Sequence, residues 1–242
     1  MRALAFASRT RKEILRDPLN LAFGIGFPLI LLLLFSAIQK NIPVKIFEIE
    51  KLAPGMAVFG LSFISLFSGM LIAKDKSSSF LMRLFASPLS STDFILGYAL
   101  PLLPMAIIQS AICFLASFFF GLPINANVLL AIAVLIPAAV LYIGIGLLAG
   151  SIFNDKQVGG VCGALLTNVS AWLSGTWFDL SLVGGAFKKI AYALPFVHAV
   201  DAGKAAIAGD YFAIPSNLIW VSAYAIVIMS IAIIVFKRKM RG

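Results

Sequence analysis

Residues 128–150 read VLLAIAVLIPAAVLYIGIGLLAG, an apolar run without a single charged residue. A helix of about 20 apolar residues crosses the hydrocarbon core of a bilayer, so this stretch predicts a transmembrane helix. Five further stretches have the same character: residues 19–38, 54–73, 94–120, 158–178 and 218–236. The sequence therefore predicts an all-α integral membrane protein, with six spans in a single transmembrane domain, 1–242.

The composition excludes a soluble domain. Of 242 residues, 61% are hydrophobic and 12% are charged, whereas soluble proteins are roughly half apolar and a quarter charged. The net charge of +9 could suit nucleic acid, but the basic residues flank the apolar runs, which favours a lipid bilayer as the partner and no nucleic acid. Cys113 and Cys162 fall inside apolar runs and are predicted to be buried thiols, neither a disulfide nor metal ligands.

Lys and Arg are distributed unevenly between the two sides that six spans define. The side that holds both termini carries 13 of the 19 basic residues. Because basic loops remain in the cytoplasm, we expect a multi-pass protein of a bacterial or archaeal plasma or inner membrane, with both termini cytoplasmic.

Residues 1–18 are predicted to form an amphipathic elbow helix that lies on the inner leaflet. The alternative is a basic tail without a fixed structure. In helical projection, the basic side carries Arg2, Arg9, Lys12 and Arg16. The apolar side carries Leu4, Ala7, Ile14 and Leu15. Phe6 and Arg11 break the pattern.

Residues 179–217 contain a stretch too charged to cross a membrane and apolar enough to enter it, which predicts re-entrant or interfacial outer helices. His198 in this segment is either a pH-sensitive or ligand-contacting group, or a capping and packing residue. Asp201 and Lys204 are three apart and can pair on a helix, although a role in an outer vestibule is also open.

The predicted spans contain no Asp, Glu, Lys, Arg or His, which argues against a proton or ion relay. The motifs H-E-x-x-H, G-x-S-x-G and G-x-x-x-x-G-K-[ST] are all absent. We therefore predict no catalytic residue, cofactor or metal on this chain, and any uphill transport would draw its energy from another chain. Gln109 and Asn168, and the pairs Gly146/Gly150 and Gly159/Gly163, suit either internal packing or a translocation seam.

The first inner loop, residues 74–90, reads KDKSSSFLMRLFASPLS. As a helix it carries a polar stripe of Lys76, Ser79, Arg83 and Ser87, with Phe80 at its border, and Pro88 ends it. This amphipathic helix would suit docking to a soluble partner, or it could be a surface hairpin without function.

This loop resembles that of the type-2 ABC exporter permeases, which commonly reads E-R-E-x-G-T-L-E-R-L-L-A-S-P-L-S. Ser77, Ser79, Phe80 and Met82 depart from the family's Glu, Gly, Thr and Glu. Segments of 173–181, 191–196 and 199–206, and the Arg16–Leu19 entry, also resemble the family. The loop residues that match are Leu81, Arg83, Leu84, Ala86, Ser87, Pro88, Leu89 and Ser90.

The resemblance implies a homodimer or pseudo-dimer of permeases assembled with two ABC ATP-binding subunits, which hold ATP and Mg. It further implies that the loop helix relays ATP-driven motion and that the substrate, a small amphipathic molecule, drug or lipid, is exported. A polysaccharide exporter, a non-transporting scaffold and an ATP-independent carrier are the alternatives. The residues expected to couple to the ATPase are Lys76, Ser79, Phe80, Arg83 and Ser87.

Overall fold

The computed structural model describes residues 2–42, 47–78 and 89–241, and no strand occurs among them. The first helices are α1 (Arg2–Leu15), α2 (Pro18–Asn41), α3 (Ile49–Ser77), α4 (Ser91–Phe118), α5 (Ala126–Val134) and α6 (Ile136–Ile152). The later ones are α7 (Asp155–Val158), a π-helix (Gly159–Leu166), α8 (Thr167–Leu173), α9 (Leu180–Val183), α10 (Gly185–Ala193), α11 (Pro195–Ala208) and α12 (Ile214–Arg241).

Five helical segments are long and apolar enough to cross a membrane, and each coincides with a predicted span. One of them joins α5 and α6, which are separated at Leu135 because Pro137 has no amide hydrogen to continue the ladder. The prediction of several spanning helices is thus confirmed. The segments are Ala22–Asn41, Ile49–Ser77, Ser91–Phe118, Ala126–Ile152 and Ile214–Met240.

The remaining predicted span, 158–178, has a different structure. Its first half is the π-helix, and α8 ends at Leu173, five residues before the predicted end. The hydroxyl of Thr167 donates to the carbonyl of Cys162 at 3.0 Å, five residues earlier. That spacing suits the wider turn of a π-helix, which is rare and is frequent at functional sites.

α3 is the centre of the bundle, packed against α2, α4, α6 and α11. Its closest neighbour is α6, because Gly146 and Gly150 bring the two backbones together. A Cβ at Gly146 would collide with the carbonyl of Ser65 and the hydroxyl of Ser68, and one at Gly150 with the carbonyl of Gly69. This first glycine pair therefore serves internal packing, whereas nothing lies within 4 Å of a Cβ built at Gly159.

Both termini lie at the same end of the bundle, which we call the α1 end. The ring of Phe94 lies 5.4 Å from Phe6 in α1 and 5.5 Å from Phe236 in α12. At the opposite end, the α11 end, Gly203 packs against Pro54 at the start of α3.

The packing of α1 differs from the predicted amphipathic pattern. Phe6, which interrupts that pattern, is 6% exposed and sits edge-on to Phe94 and Tyr98 of α4. Leu4 and Leu15, predicted to lie on the apolar side, are 64% and 65% exposed. α1 is thus held by an aromatic anchor, and two of its apolar side chains face outward.

Candidate functional site

The inner loop begins inside α3, because that helix continues to Ser77. Lys76 is therefore on the last turn of α3. The other residues predicted to dock on a partner lie outside the described residues, and their docking stays a prediction; they are Ser79, Phe80, Arg83 and Ser87.

Asp75 lies on this last turn and is only 5% exposed. Its two carboxylate oxygens accept hydrogen bonds from the guanidinium of Arg9 at 2.8 and 3.1 Å. Oδ2 also accepts one from the hydroxyl of Tyr98 at 2.6 Å. A buried carboxylate is stable only when paired and hydrogen-bonded, so Asp75 ties α3 firmly to α1 and α4.

Glu13 completes this group, which we call the Asp75 cluster: Arg9, Glu13, Asp75 and Tyr98. Oε2 of Glu13 lies 3.0 Å from Nη2 of Arg9. Burial raises the pKa of the Glu13 carboxyl, with Arg9 opposing the shift and Asp75 adding to it. Burial lowers the pKa of Arg9, but the hydrogen bond and charge of Asp75 outweigh that effect and the net shift is upward. One guanidinium therefore serves two carboxylates.

Lys76 ties the same turn to α6. Its Nζ donates to the carbonyl of Phe153 at 2.6 Å and to that of Gly150 at 3.1 Å. These carbonyls end α6, where a cation is favoured by the helix dipole and by unpaired acceptors. The ammonium group that was expected to face a partner is directed here at the chain's own backbone.

The other stem of the loop is fixed as α4 begins. The amide of Asp93 donates to the Ser90 hydroxyl at 3.2 Å, and the amide of Ser90 donates to the Asp93 carboxylate at 3.0 Å. This reciprocal capping box satisfies amides that the start of a helix leaves unpaired. Both ends of the segment 79–88 are therefore rooted in helices that meet at the Asp75 cluster.

The two predicted seam residues have different surroundings. Gln109 is fully buried against Gly60, and its Nε2 lies 3.4 Å from the sulfur of Cys113. Within the described residues its Oε1 has no hydrogen-bond partner. Asn168 is exposed, and its amide donates to the carbonyl of Ala164 at 2.8 Å. Asn168 therefore presents an amide on an exposed face, and Gln109 lies inside the helix bundle.

The α11 end holds His198, which is 8% exposed and stacked on Trp220 at 5.3 Å. Its ring nitrogens lie 2.8 Å from Oδ1 of Asn217 and 3.0 Å from the carbonyl of Tyr192. These contacts place His198 in the surroundings that the packing interpretation expects, and its role stays a prediction.

Asp201 and Lys204 pair at 3.7 Å, as their spacing predicted. Burial raises the pKa of Asp201, and the charge of Lys204 opposes the shift. The charge of Lys204 therefore offsets only part of the cost of burying the ionised Asp201 carboxylate.

The described residues were predicted to hold no metal site, and the two cysteines were predicted to be buried thiols. Within the described ranges there is no group of three or more His, Cys, Asp or Glu that could hold a metal ion. Cys113 and Cys162 are free and buried, as predicted.

Sequence reasoning missed the Asp75 cluster. Asp75 was not among the residues predicted to couple to a partner, and Tyr98 was not singled out because tyrosine is common near the ends of spans. The available signal was an acid directly after an apolar run and between two lysines, Lys74 and Lys76. A carboxylate at that position has to find a cation on another element.

This fold is that of a polytopic helical membrane protein, with a charged cluster where its amino-terminal helix meets the start of an inner loop. The chain belongs to the ABC-2 type transporter family, whose model matches residues 2–207. Among curated proteins, it is 32% identical over 139 residues to "Putative transport permease ycf38" of Porphyra purpurea, covering 54% of this chain and 48% of that protein. The protein of the same name from Pyropia yezoensis is 32% identical over 130 residues, which cover 51% of this chain and 45% of that protein. The aligned region thus spans about half the length of these relatives.

Proposed function

We propose that this chain is the transmembrane permease subunit of an ATP-driven exporter for a small amphipathic molecule, drug or lipid. Membership of the ABC-2 family supports a transport subunit rather than an enzyme, and such permeases normally pair with an ATP-binding subunit. The functional unit proposed is two permeases with two ATP-binding subunits, which carry the ATP and Mg.

The proposed topology has six spans, with both termini in the cytoplasm. Residues 155–173 are helical without a break and are proposed as the sixth crossing, at most about 28 Å long because the α-helical rise of 1.5 Å per residue is an upper limit for the wider π-helical turns. This length approaches the roughly 30 Å hydrocarbon core. Both termini lie at the α1 end, and the basic residues concentrate on the side that holds them, so the α1 end is assigned to the cytoplasm.

The observation that carries the proposal is that both ends of the inner loop are fixed to other helices by hydrogen bonds. One stem of the segment 79–88 is bound to α1 through Asp75 and Arg9, and to α6 through Lys76. The other stem is the capped start of α4. A partner that pulls on this segment therefore displaces α1, α3, α4 and α6 together. The mechanism proposed is that closure of the ATP-binding subunits moves the segment and opens the export pathway.

The test is transport and ATP hydrolysis by the permease reconstituted in vesicles with its ATP-binding subunit. Arg83→Glu and Phe80→Ala should leave the protein folded and abolish substrate-stimulated ATP hydrolysis and transport. Large aromatics and arginine at an interface each contribute roughly 2 kcal/mol or more to binding, so both changes should weaken docking. Lys189→Glu is the matched control, since it reverses one exposed charge on α10, among the elements of the α11 end.

Normal transport by both variants at normal expression would remove the loop as the coupling element. Failure of the wild-type chain to bind any ATP-binding subunit would favour a scaffold.

A further inference from the structure

An apolar groove of about 490 Å³ lies between α1 and the middle of α4, with Ile25 of α2 at its wall. The α4 side runs from Leu100 to Ile108, about 12 Å along that helix at 1.5 Å per residue. The groove thus follows the middle of a helix long and apolar enough to cross a membrane, where acyl chains of the bilayer are expected.

The α1 side of the groove is a stripe of side chains three or four residues apart, which share one helix face. It contains the exposed side chains Leu4 and Leu15, which are large and apolar, with Ser8 and Arg11 between them. Arg11 is the basic residue that interrupts the apolar side of α1 in the sequence. It is also the only charged residue that lines the groove, as far as the described residues show.

Arg11 differs from its neighbour Arg9, which is bound to Asp75 and Glu13. Among the described residues no carboxylate pairs with Arg11. An exposed cation on the wall of an apolar groove suits a ligand with one anionic end and one apolar end. A water-soluble anion would leave the groove unfilled, and a neutral chain would leave Arg11 unmatched.

We propose that this groove binds an anionic phospholipid of the surrounding leaflet. One acyl chain lies along Leu100 and Ile108, and the phosphate is bound by Arg11 with the hydroxyl of Ser8 beside it. The lipid fills the space between α1 and α4 and so holds the helix that carries Arg9. The site is separate from the inner loop, since none of its lining residues belongs to residues 74–90.

The test uses the full chain in nanodiscs that contain equal amounts of phosphatidylglycerol and phosphatidylcholine with the same long acyl chains. Lipid retained by the extracted protein is measured by native mass spectrometry. The wild type should retain roughly fivefold more phosphatidylglycerol than phosphatidylcholine, because one cation near an anionic headgroup contributes about 1 kcal/mol of binding free energy. Arg11→Gln should lose this preference. Lys12→Gln, which removes an exposed charge lining the polar hollow beside the groove, should keep it.

The groove itself is tested by filling it. Leu100→Trp should reduce retention of both lipids, whereas Leu115→Trp, at an exposed position of α4 outside the groove, should not. On the wild type, glycerol 1-phosphate should not displace the lipid, because it lacks the chain.

An unchanged preference in Arg11→Gln overturns the proposal. An equal loss in Lys12→Gln assigns the preference to general surface charge, and displacement by glycerol 1-phosphate reduces the site to an anion site. Disulfide formation between two copies of Leu100→Cys in the bilayer assigns the face to a protein interface and also overturns the proposal.

Discussion

Replacing Arg9 by methionine should destabilise the protein more than replacing Asp75 by asparagine, although both changes remove the same ion pair. The asymmetry follows from exposure, because the side chain of Arg9 is 37% exposed and that of Asp75 is 6% exposed. Without Asp75, the guanidinium reaches water and keeps Glu13 at 3.0 Å. Without Arg9, the hydroxyl of Tyr98 is the one side-chain donor left to the buried carboxylate within the described ranges.

The magnitudes follow from that difference. Breaking a buried pair so that one charge is stranded costs about 3–5 kcal/mol, and Arg9→Met should fall near 3 because Tyr98 still donates to the carboxylate. Asp75→Asn loses charge-assisted hydrogen bonds whose cation is solvent-accessible, so about 1–2 kcal/mol is expected. The double variant removes the stranded charge and should be more stable than Arg9→Met alone.

The assay is reversible unfolding of the four proteins in mixed micelles, with hydrogen exchange of the α1 amides to detect local detachment of that helix. Lys74→Met is the surface control, since Lys74 lies 3.6 Å from Asp17 and is half exposed. It should cost less than about 1 kcal/mol. Additive effects of the two single changes, within about 0.5 kcal/mol, would refute the reasoning because the two side chains would then not be coupled.

Three further outcomes are expected. Gly146→Ala should lower the free energy of unfolding by at least about 2 kcal/mol, because the added methyl group meets Ser65 and Ser68. Gly26→Ala is the control and should be neutral, because nothing lies within 4 Å of its added methyl group. Burial raises the pKa of Asp201, so the folded state binds its proton more tightly than the unfolded state does, and the free energy of unfolding falls as pH rises from about 4. Asp201→Asn should make the free energy of unfolding less dependent on pH. An identical pH dependence in both proteins would contradict this expectation. A reporter fused after Gly242 should be active only as a cytoplasmic reporter, and activity of a periplasmic one would reverse the topology.

Apolar length was sufficient to predict most of the fold, because a bilayer imposes one requirement on every crossing helix. Five predicted spans correspond to helices of the structure, with ends that differ by a few residues. α3 begins at Ile49 and ends at Ser77, beyond the predicted 54–73 on both sides. The extension at Lys74–Ser77 was not predictable from hydropathy, since it depends on partners from α1, α4 and α6 that accept its charges.

Position along one helix was a weaker guide to the faces of α1. A helical projection sorts residues by polarity, but it does not show where a neighbouring helix lies. Phe6 is buried because Gly97 leaves room for its ring: a Cβ there would collide with the Phe6 side chain. The π-helix was equally invisible, because Gly159–Leu166 is as apolar as any span and its wider turn is supported by the single hydroxyl of Thr167.

The geometry of α3 explains how an event at one end of the bundle can reach the other. α3 is about 43 Å long at 1.5 Å per residue, so it spans the distance between Asp75 and the contact of Pro54 with Gly203. Gly146 and Gly150 place its backbone against that of α6 so closely that a Cβ at either glycine would collide with α3. Packed interfaces of this kind respond as units instead of deforming continuously. A displacement of the inner loop would therefore move α3 and α6 as one body. Because α11 packs against the far end of α3, we expect α11 to be the first element at that end to move.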